Sequence, residues 1–232
     1  MKNKILFVLI TFLLIFLLIS NIDKTNDAYK FKREYERLNG TKINDQRVRS
    51  IVISKRNPFV YKQAKDIIKM MDNNETFVVY FGFAKCPWCR SVLPTLIDVS
   101  KKLDLQAIYY VDIYDIRDTL KVDRTGNIIT EKKGTDDYYK LLTYLNDVLK
   151  DYDLKDEKGN TVKTNEKRIY APNVVSIVNG KATKMTTGIS KLQTDPYMRL
   201  TSEMKRETYN DFECVIKCVV ENKTMCAKEK QC

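Results

Sequence analysis

Residues 76–102 constrain this chain more than any other stretch. Phe77, Val78, Val79, Tyr80, Phe81, Gly82 and Phe83 make a nearly continuous apolar run that reads as a buried strand. Three residues later comes Cys86-Pro87-Trp88-Cys89, and residues 90–102 read as a helix. A strand, a tight turn and a helix that opens on two cysteines at C-x-x-C spacing present a dithiol. Such a pair can close into a small disulfide ring and open again. The helix N-terminus adds unpaired N–H groups and a partial positive charge, and both favour a thiolate. The pattern points to thiol–disulfide exchange. Cys86, at the helix start, is expected to be the more exposed and attacking thiol. Cys89, one turn inside, is expected to resolve a mixed disulfide.

Two other readings compete for the same cysteines: a static bridge, and half of a zinc site. A zinc site needs two more ligands. The sequence has no histidine, and its remaining cysteines, Cys214, Cys218, Cys226 and Cys232, lie near the C-terminus at unsuitable spacing. The lack of histidine also removes Ser-His and Cys-His catalysis and His-ligated haem. No metal and no cofactor are expected. Six cysteines form an even set that suits disulfides in an oxidising compartment.

The N-terminus agrees with that compartment. Lys2 and Lys4 precede residues 5–19, apolar except for Thr11. This is a basic flank followed by a hydrophobic segment, with no good pair of small residues for cleavage. An uncleaved signal anchor over 1–22 is expected, with a single pass and the following chain outside the cytoplasm. A secreted form after signal cleavage is the alternative. The 41 Lys and Arg against 30 Asp and Glu give a net charge of +11, but the charges are scattered, so a generally basic surface is expected and no nucleic-acid partner.

Further organisation follows from pattern. Residues 23–50 read as a polar stalk or linker, with weak helical character over 28–38. Ile51, Val52 and Ile53 suggest a short strand, and Asn57-Pro58 a helix start for a helix running to Met71. Residues 106–112 read as a second strand, joined in parallel to the first through the cysteine-bearing helix. Thr125-Gly126-Asn127 and residues 156–160 read as turns, and 135–150 as a helix burying Tyr138, Leu141, Leu142, Leu145, Val148 and Leu149. Residues 173–178 and 181–187 pair about a turn at Asn179-Gly180. From 195 onward the chain reads as helical. An antiparallel helical hairpin there would pair Cys218–Cys226 and Cys214–Cys232, one of three possible pairings. A second redox relay is the functional alternative for these four.

The element order, with C-P-W-C at the first strand-to-helix turn, resembles the thioredoxin fold. Pro94, five residues after Cys89, stands where that family carries a helix-kinking proline. Pro172 stands where it carries a cis-proline facing the dithiol. The stretch 75–111 is similar to extracytoplasmic thioredoxin-like proteins of low-GC Gram-positive bacteria, including the bacteriocin-transport accessory type. The resemblance implies an α/β fold with a central mixed sheet flanked by helices over 51–192, between the anchor and a Cys-rich helical extension over 193–232. It implies a thiol–disulfide oxidoreductase acting on protein dithiols and disulfides, with a redox partner that recycles the pair. Trp88, Ala171 and Pro172 would meet substrate, and Lys85, Pro87, Arg90 and Pro94 would support the dithiol. In thioredoxins the position six before the first cysteine is acidic; here it is Tyr80. Reductant and oxidant both remain open, as does a binding or accessory module for an exported peptide or transporter.

Overall fold

The structure is a computed structural model that describes residues 6, 7, 10 and 26–222. A mixed five-stranded sheet forms its centre. The strands are β3 (Phe59–Tyr61), β4 (Phe77–Gly82), β5 (Ile108–Asp112), β10 (Asn173–Val178) and β11 (Lys181–Thr186). Their spatial order is β11-β10-β4-β5-β3. β4 and β3 each run parallel to β5, while β10 runs antiparallel to both β4 and β11. α3 (Pro87–Lys102) joins β4 to β5, the crossover that parallel neighbours require.

Strand alternation divides the core in two. Val78, Tyr80, Ile108, Tyr110 and Val174 face α3, α5 (Ser202–Val220) and a helix over 26–36, here α1. Phe77, Val79, Phe81, Val111, Val175 and Ile177 face α2 (Ala64–Asp72) and α4 (Asp136–Leu145). β4 and β10 are buried along their whole length, which is why β4 reads as an unbroken apolar run and β10 as one interrupted only by the buried polar Asn173 and Ser176. A fully buried Leu, Ile or Phe contributes about 1.5–3 kcal/mol. The turn joining β10 to β11 places Asn179 at φ 50° and Gly180 at φ 73°. A Cβ on Gly180 would lie 2.2 Å from the Met71 carbonyl oxygen, so only glycine fits this turn without displacement.

In the N-terminal part of the chain, three elements differ from the expectations. First, 59–61 is strand, and the helix starts at Ala64 behind a capping box of Gln63 and Asp66. Phe59 shares the spacing of Ala64, Ile67 and Ile68, but its run with Val60 and Tyr61 finds a parallel partner in β5. Second, 51–53 is extended and unpaired with any strand. Its backbone is satisfied by side chains instead: Ile53 N donates to Glu36 at 2.8 Å, and Ile51 N to Asn39 Oδ1 at 3.1 Å. Third, the expected stalk contains α1, whose Ala28, Phe31 and Tyr35 are buried against the sheet. Their spacing of three and four residues is the amphipathic signal. Two short strands follow it, β1 (Lys42–Ile43) and β2 (Gln46–Arg47).

Between β5 and β10 lie two hairpins, β6 (Thr119–Val122) with β7 (Ile128–Lys132), and β8 (Lys150–Lys155) with β9 (Thr161–Arg168). The buried Arg168 guanidinium ties them together, with Nη1 3.2 Å from Asp118 Oδ1 and Nη2 3.1 Å from the Asp118 carbonyl oxygen. α4 ends at Leu145, earlier than expected, and Leu149 is buried beyond it. α5 starts only at Ser202, behind the N-cap Thr201, so 195–201 is turn and coil and not the expected helix; α5 carries Cys214 and Cys218, both disulfide-bonded. Their expected partners, Cys226 and Cys232, lie outside the described residues, as does nearly all of the expected anchor. Among the described residues no helix is long and apolar enough to cross a membrane.

Candidate active site

Cys86 is the N-cap of α3, and Pro87 occupies the first helical position, where a missing N–H costs nothing. The Cys86 Sγ accepts a hydrogen bond from Cys89 N at 3.1 Å. Its thiol donates to the Ala171 carbonyl oxygen at 3.3 Å. The hydrogen bond to Ala171 sets the loop entering β10 against the Cys86 sulfur, and Ala171 precedes Pro172 through a cis peptide bond. Both cysteines are free thiols, and both are buried: Cys86 is 3% exposed and Cys89 0%. The difference in exposure is therefore small, and their electrostatics separate them far more.

Burial works against a Cys86 thiolate. Hydrogen bonds from Cys89 and Trp88 and the charge of Arg117 outweigh it, and the Cys86 thiol titrates below the ordinary cysteine value. Burial pushes the Cys89 thiol well up, and its contact with Cys86 pushes it further. The two sulfurs are thus divided into a thiol that ionises more readily and one held protonated.

The remaining expected residues fall into three groups. Trp88 is half-buried, packed against the core beside the dithiol. Pro94 is exposed inside α3. Lys85 is exposed with its Nζ 5.5 Å from the Tyr114 ring centroid, and Arg90 turns inward. The Arg90 guanidinium donates to the carbonyl oxygens of Arg49, Tyr35 and Ala84 at 2.8, 2.9 and 3.2 Å, and to Asn39 Oδ1 at 2.6 Å. It clamps α1 and the segment after it to the start of α3. The cation acting on Cys86 is Arg117, whose Cζ lies 5.1 Å from the Phe83 ring centroid. Sequence reading missed Arg117 because it stands in a loop with no periodic pattern. It also missed Tyr35, which the spacing of Ala28, Phe31, Tyr35 and Leu38 could have flagged as buried.

Behind Cys89 the site is lined with tyrosine. Tyr80 shares the core cluster of Cys89, and its hydroxyl lies 3.4 Å from the Tyr35 hydroxyl. Gly82 makes room for it: a Cβ there would fall 2.5 Å from the Tyr80 hydroxyl. Among the described residues no group of three or more His, Cys, Asp or Glu is placed to hold a metal ion. Comparison with protein-family models and with curated proteins finds no match for the sequence.

Proposed function

We propose that this chain is a thiol–disulfide oxidoreductase of thioredoxin-like fold, acting on protein disulfides outside the cytoplasm. The observation that carries the proposal is the pairing of two unlike thiols. One is an ionisable Cys86 capping α3 against the cis Ala171–Pro172 loop, and the other is a buried, protonated Cys89 one turn inside. The strand order, with three parallel strands followed by an antiparallel pair and the dithiol at the end of the middle strand, supports the fold assignment. The hydrophobic run at 5–19 supports attachment to a membrane, with the folded part on the oxidising side.

In the reducing direction the Cys86 thiolate attacks one sulfur of a substrate disulfide. A Cys86–substrate disulfide forms, and the other substrate sulfur leaves as a thiolate. Cys89 then gives up its proton and attacks Cys86 Sγ. The Cys86–Cys89 bond forms and the second substrate thiol is released. Two electrons pass from the pair to the substrate, and a second dithiol partner returns them. The oxidising direction is the same sequence reversed. The Ala171 backbone and the face of Trp88 border the sulfur and would meet the incoming chain.

The test is reduction of insulin disulfides by the full chain in detergent with a dithiol donor, alongside oxidation of a reduced test protein. Activity lost on Cys86→Ser is expected. Wild-type protein inactive in both assays would instead favour a thioredoxin-like accessory module that binds an exported peptide. The reduction potential of the pair decides the direction of flow, since about 30 mV corresponds to roughly 1.4 kcal/mol for a two-electron couple.

A further inference from the structure

Beside the dithiol, two aromatic rings and three cations form one cluster. Cys86 N donates to the Phe83 carbonyl oxygen at 3.1 Å, so Phe83 belongs to the turn that presents the attacking sulfur. The Phe83 and Tyr114 rings meet edge to face, with centroids 5.0 Å apart. A cation stands over each ring. Arg117 Cζ is 5.1 Å from the Phe83 centroid, and Lys85 Nζ is 5.5 Å from the Tyr114 centroid. The negative ring faces attract these charges and hold them beside the turn. A third cation joins from β7, where Lys132 Nζ donates to the Tyr114 carbonyl oxygen at 3.2 Å. Lys85, Tyr114 and Lys132 are all exposed.

Among the described residues none of the three cations has a carboxylate in ion-pair range. For exposed lysines this costs little. Arg117 is half-buried, and a guanidinium drawn out of water calls for a counter-charge. The acid next to it in sequence, Asp118, is paired with Arg168 instead. Of the other two acids in 112–118, Asp112 accepts from Tyr114 N at 2.8 Å and lines the cleft that holds Lys30 and Tyr61. Asp115 is then the one carboxylate of this loop left to offset three cations. The Cys86 thiolate is a further counter-charge for Arg117, but it is consumed when a mixed disulfide forms. The cluster is short of negative charge at the moment a substrate chain is attached beside it.

We infer that Lys85, Arg117 and Lys132, set on the Phe83–Tyr114 ring pair, form a cationic rim that selects protein substrates with acidic residues flanking the reacting cysteine. This deepens the oxidoreductase reading and rests on it. Carboxylates beside the substrate sulfur meet the rim as that sulfur meets Cys86. Charge complementarity of this kind raises the rate of productive encounter and turns away chains with basic flanks. The whole chain carries a net charge of +11, so a local rim has to be separated from a general attraction for acids.

The experiment uses reduced full chain in detergent and symmetric disulfides of three pentapeptides, with glutamate, glutamine or lysine on both sides of a central cysteine. Released peptide thiol is measured after acid quench, and each rate constant is divided by that for dithiothreitol, which is uncharged and removes intrinsic reactivity. At low ionic strength the glutamate peptide is expected to react about tenfold faster than the glutamine peptide, and the lysine peptide more slowly than both. The advantage should shrink with salt, since the screening length falls from about 10 Å at 0.1 M to about 3 Å at 1 M. The glutamate-to-glutamine ratio cancels any change in Cys86 ionisation. Lys85→Gln with Lys132→Gln should cut that ratio severalfold. Arg117→Gln should cut it too, and the lysine pair serves if Arg117→Gln does not fold. Lys69→Gln with Lys181→Gln removes the same charge at the other end of β4, where Gly180 N donates to the Glu75 carbonyl oxygen at 3.0 Å, and should keep the ratio. A wild-type ratio near one, a ratio unchanged in the rim variants, or one that falls equally in the control pair would overturn the rim. Binding of the same peptides with serine for cysteine, read by the single tryptophan Trp88, separates rim from chemistry. Tighter binding of the glutamate peptide with no peptide reduced would sink the oxidoreductase reading and leave the rim standing. Rapid exchange without charge preference would do the reverse, and neither exchange nor preferential binding would sink both.

Discussion

The chemistry of the site rests on how differently two cysteines three positions apart are treated. Cys86 has a thiolate favoured by hydrogen bonds and Arg117 despite burial, while Cys89 is held protonated by burial and by Cys86 itself. Alkylation follows the thiolate fraction, so a lowered thiol reaches half its maximal rate below the ordinary cysteine value of about 8.5. In reduced protein, iodoacetamide should label Cys86 first and with a midpoint below that value. In Cys86→Ser, Cys89 should label slowly and only at higher pH. Faster labelling of Cys89 would reverse the assigned roles. Arg117→Gln removes a positive charge that favours the thiolate, so it should move the Cys86 midpoint upward. Lys85→Gln should move it less, because Lys85 is exposed beside Tyr114, where solvent screens its charge.

Among elements, the contact that most changes the picture is α1 against the start of α3. Arg90 supplies it with a fully buried side chain making four hydrogen bonds, three of them to carbonyl oxygens. Arg90→Met keeps the chain length and removes every donor. Unfolding in urea should show a loss of about 3 kcal/mol or more, since bonds from a charged donor and stranded buried acceptors each count. Limited proteolysis should then cut within 26–50, while the Cys86 alkylation midpoint stays close to wild type. A large midpoint shift with unchanged stability would restore Arg90 to an electrostatic role at the dithiol. The same contact explains what was legible beforehand. β4, β5, β10 and the Asn179-Gly180 turn depend on local patterns, apolar runs bounded by turn residues, and they stand where those patterns put them. The strand at 59–61 depends on β5, and the extended segment at 51–53 depends on Glu36 and Asn39. Such partners are distant in sequence and carry no periodic mark. For the site, Cys86, Cys89, Ala171 and Pro172 were legible through spacing and family resemblance. Arg117 and Tyr35 reach the site only because the chain folds back on itself.

At the scale of the molecule, the dithiol is built where four separate stretches converge: the β4–α3 turn, the loop before β10, the loop after β5, and α1. The C-terminal helix is not among them. α5 packs Phe212, Val215 and Ile216 into the core beside α3 and carries its two disulfide-bonded cysteines at the far end of the chain. The spacing of these cysteines leads to the expectation of a structural clamp, with a redox relay as the alternative. A disulfide lowers the entropy of the unfolded chain and typically stabilises by about 2–4 kcal/mol. Changing Cys214, Cys218, Cys226 and Cys232 to Ser should therefore lower the thermal midpoint by several degrees. At low temperature, reduction of a small aromatic disulfide should stay close to the wild-type rate. Peptide mapping under non-reducing conditions should recover Cys218 joined to Cys226 and Cys214 joined to Cys232. Loss of turnover in a folded quadruple variant would mean that electrons do pass between this end of the chain and Cys86, and that the clamp is a second redox centre.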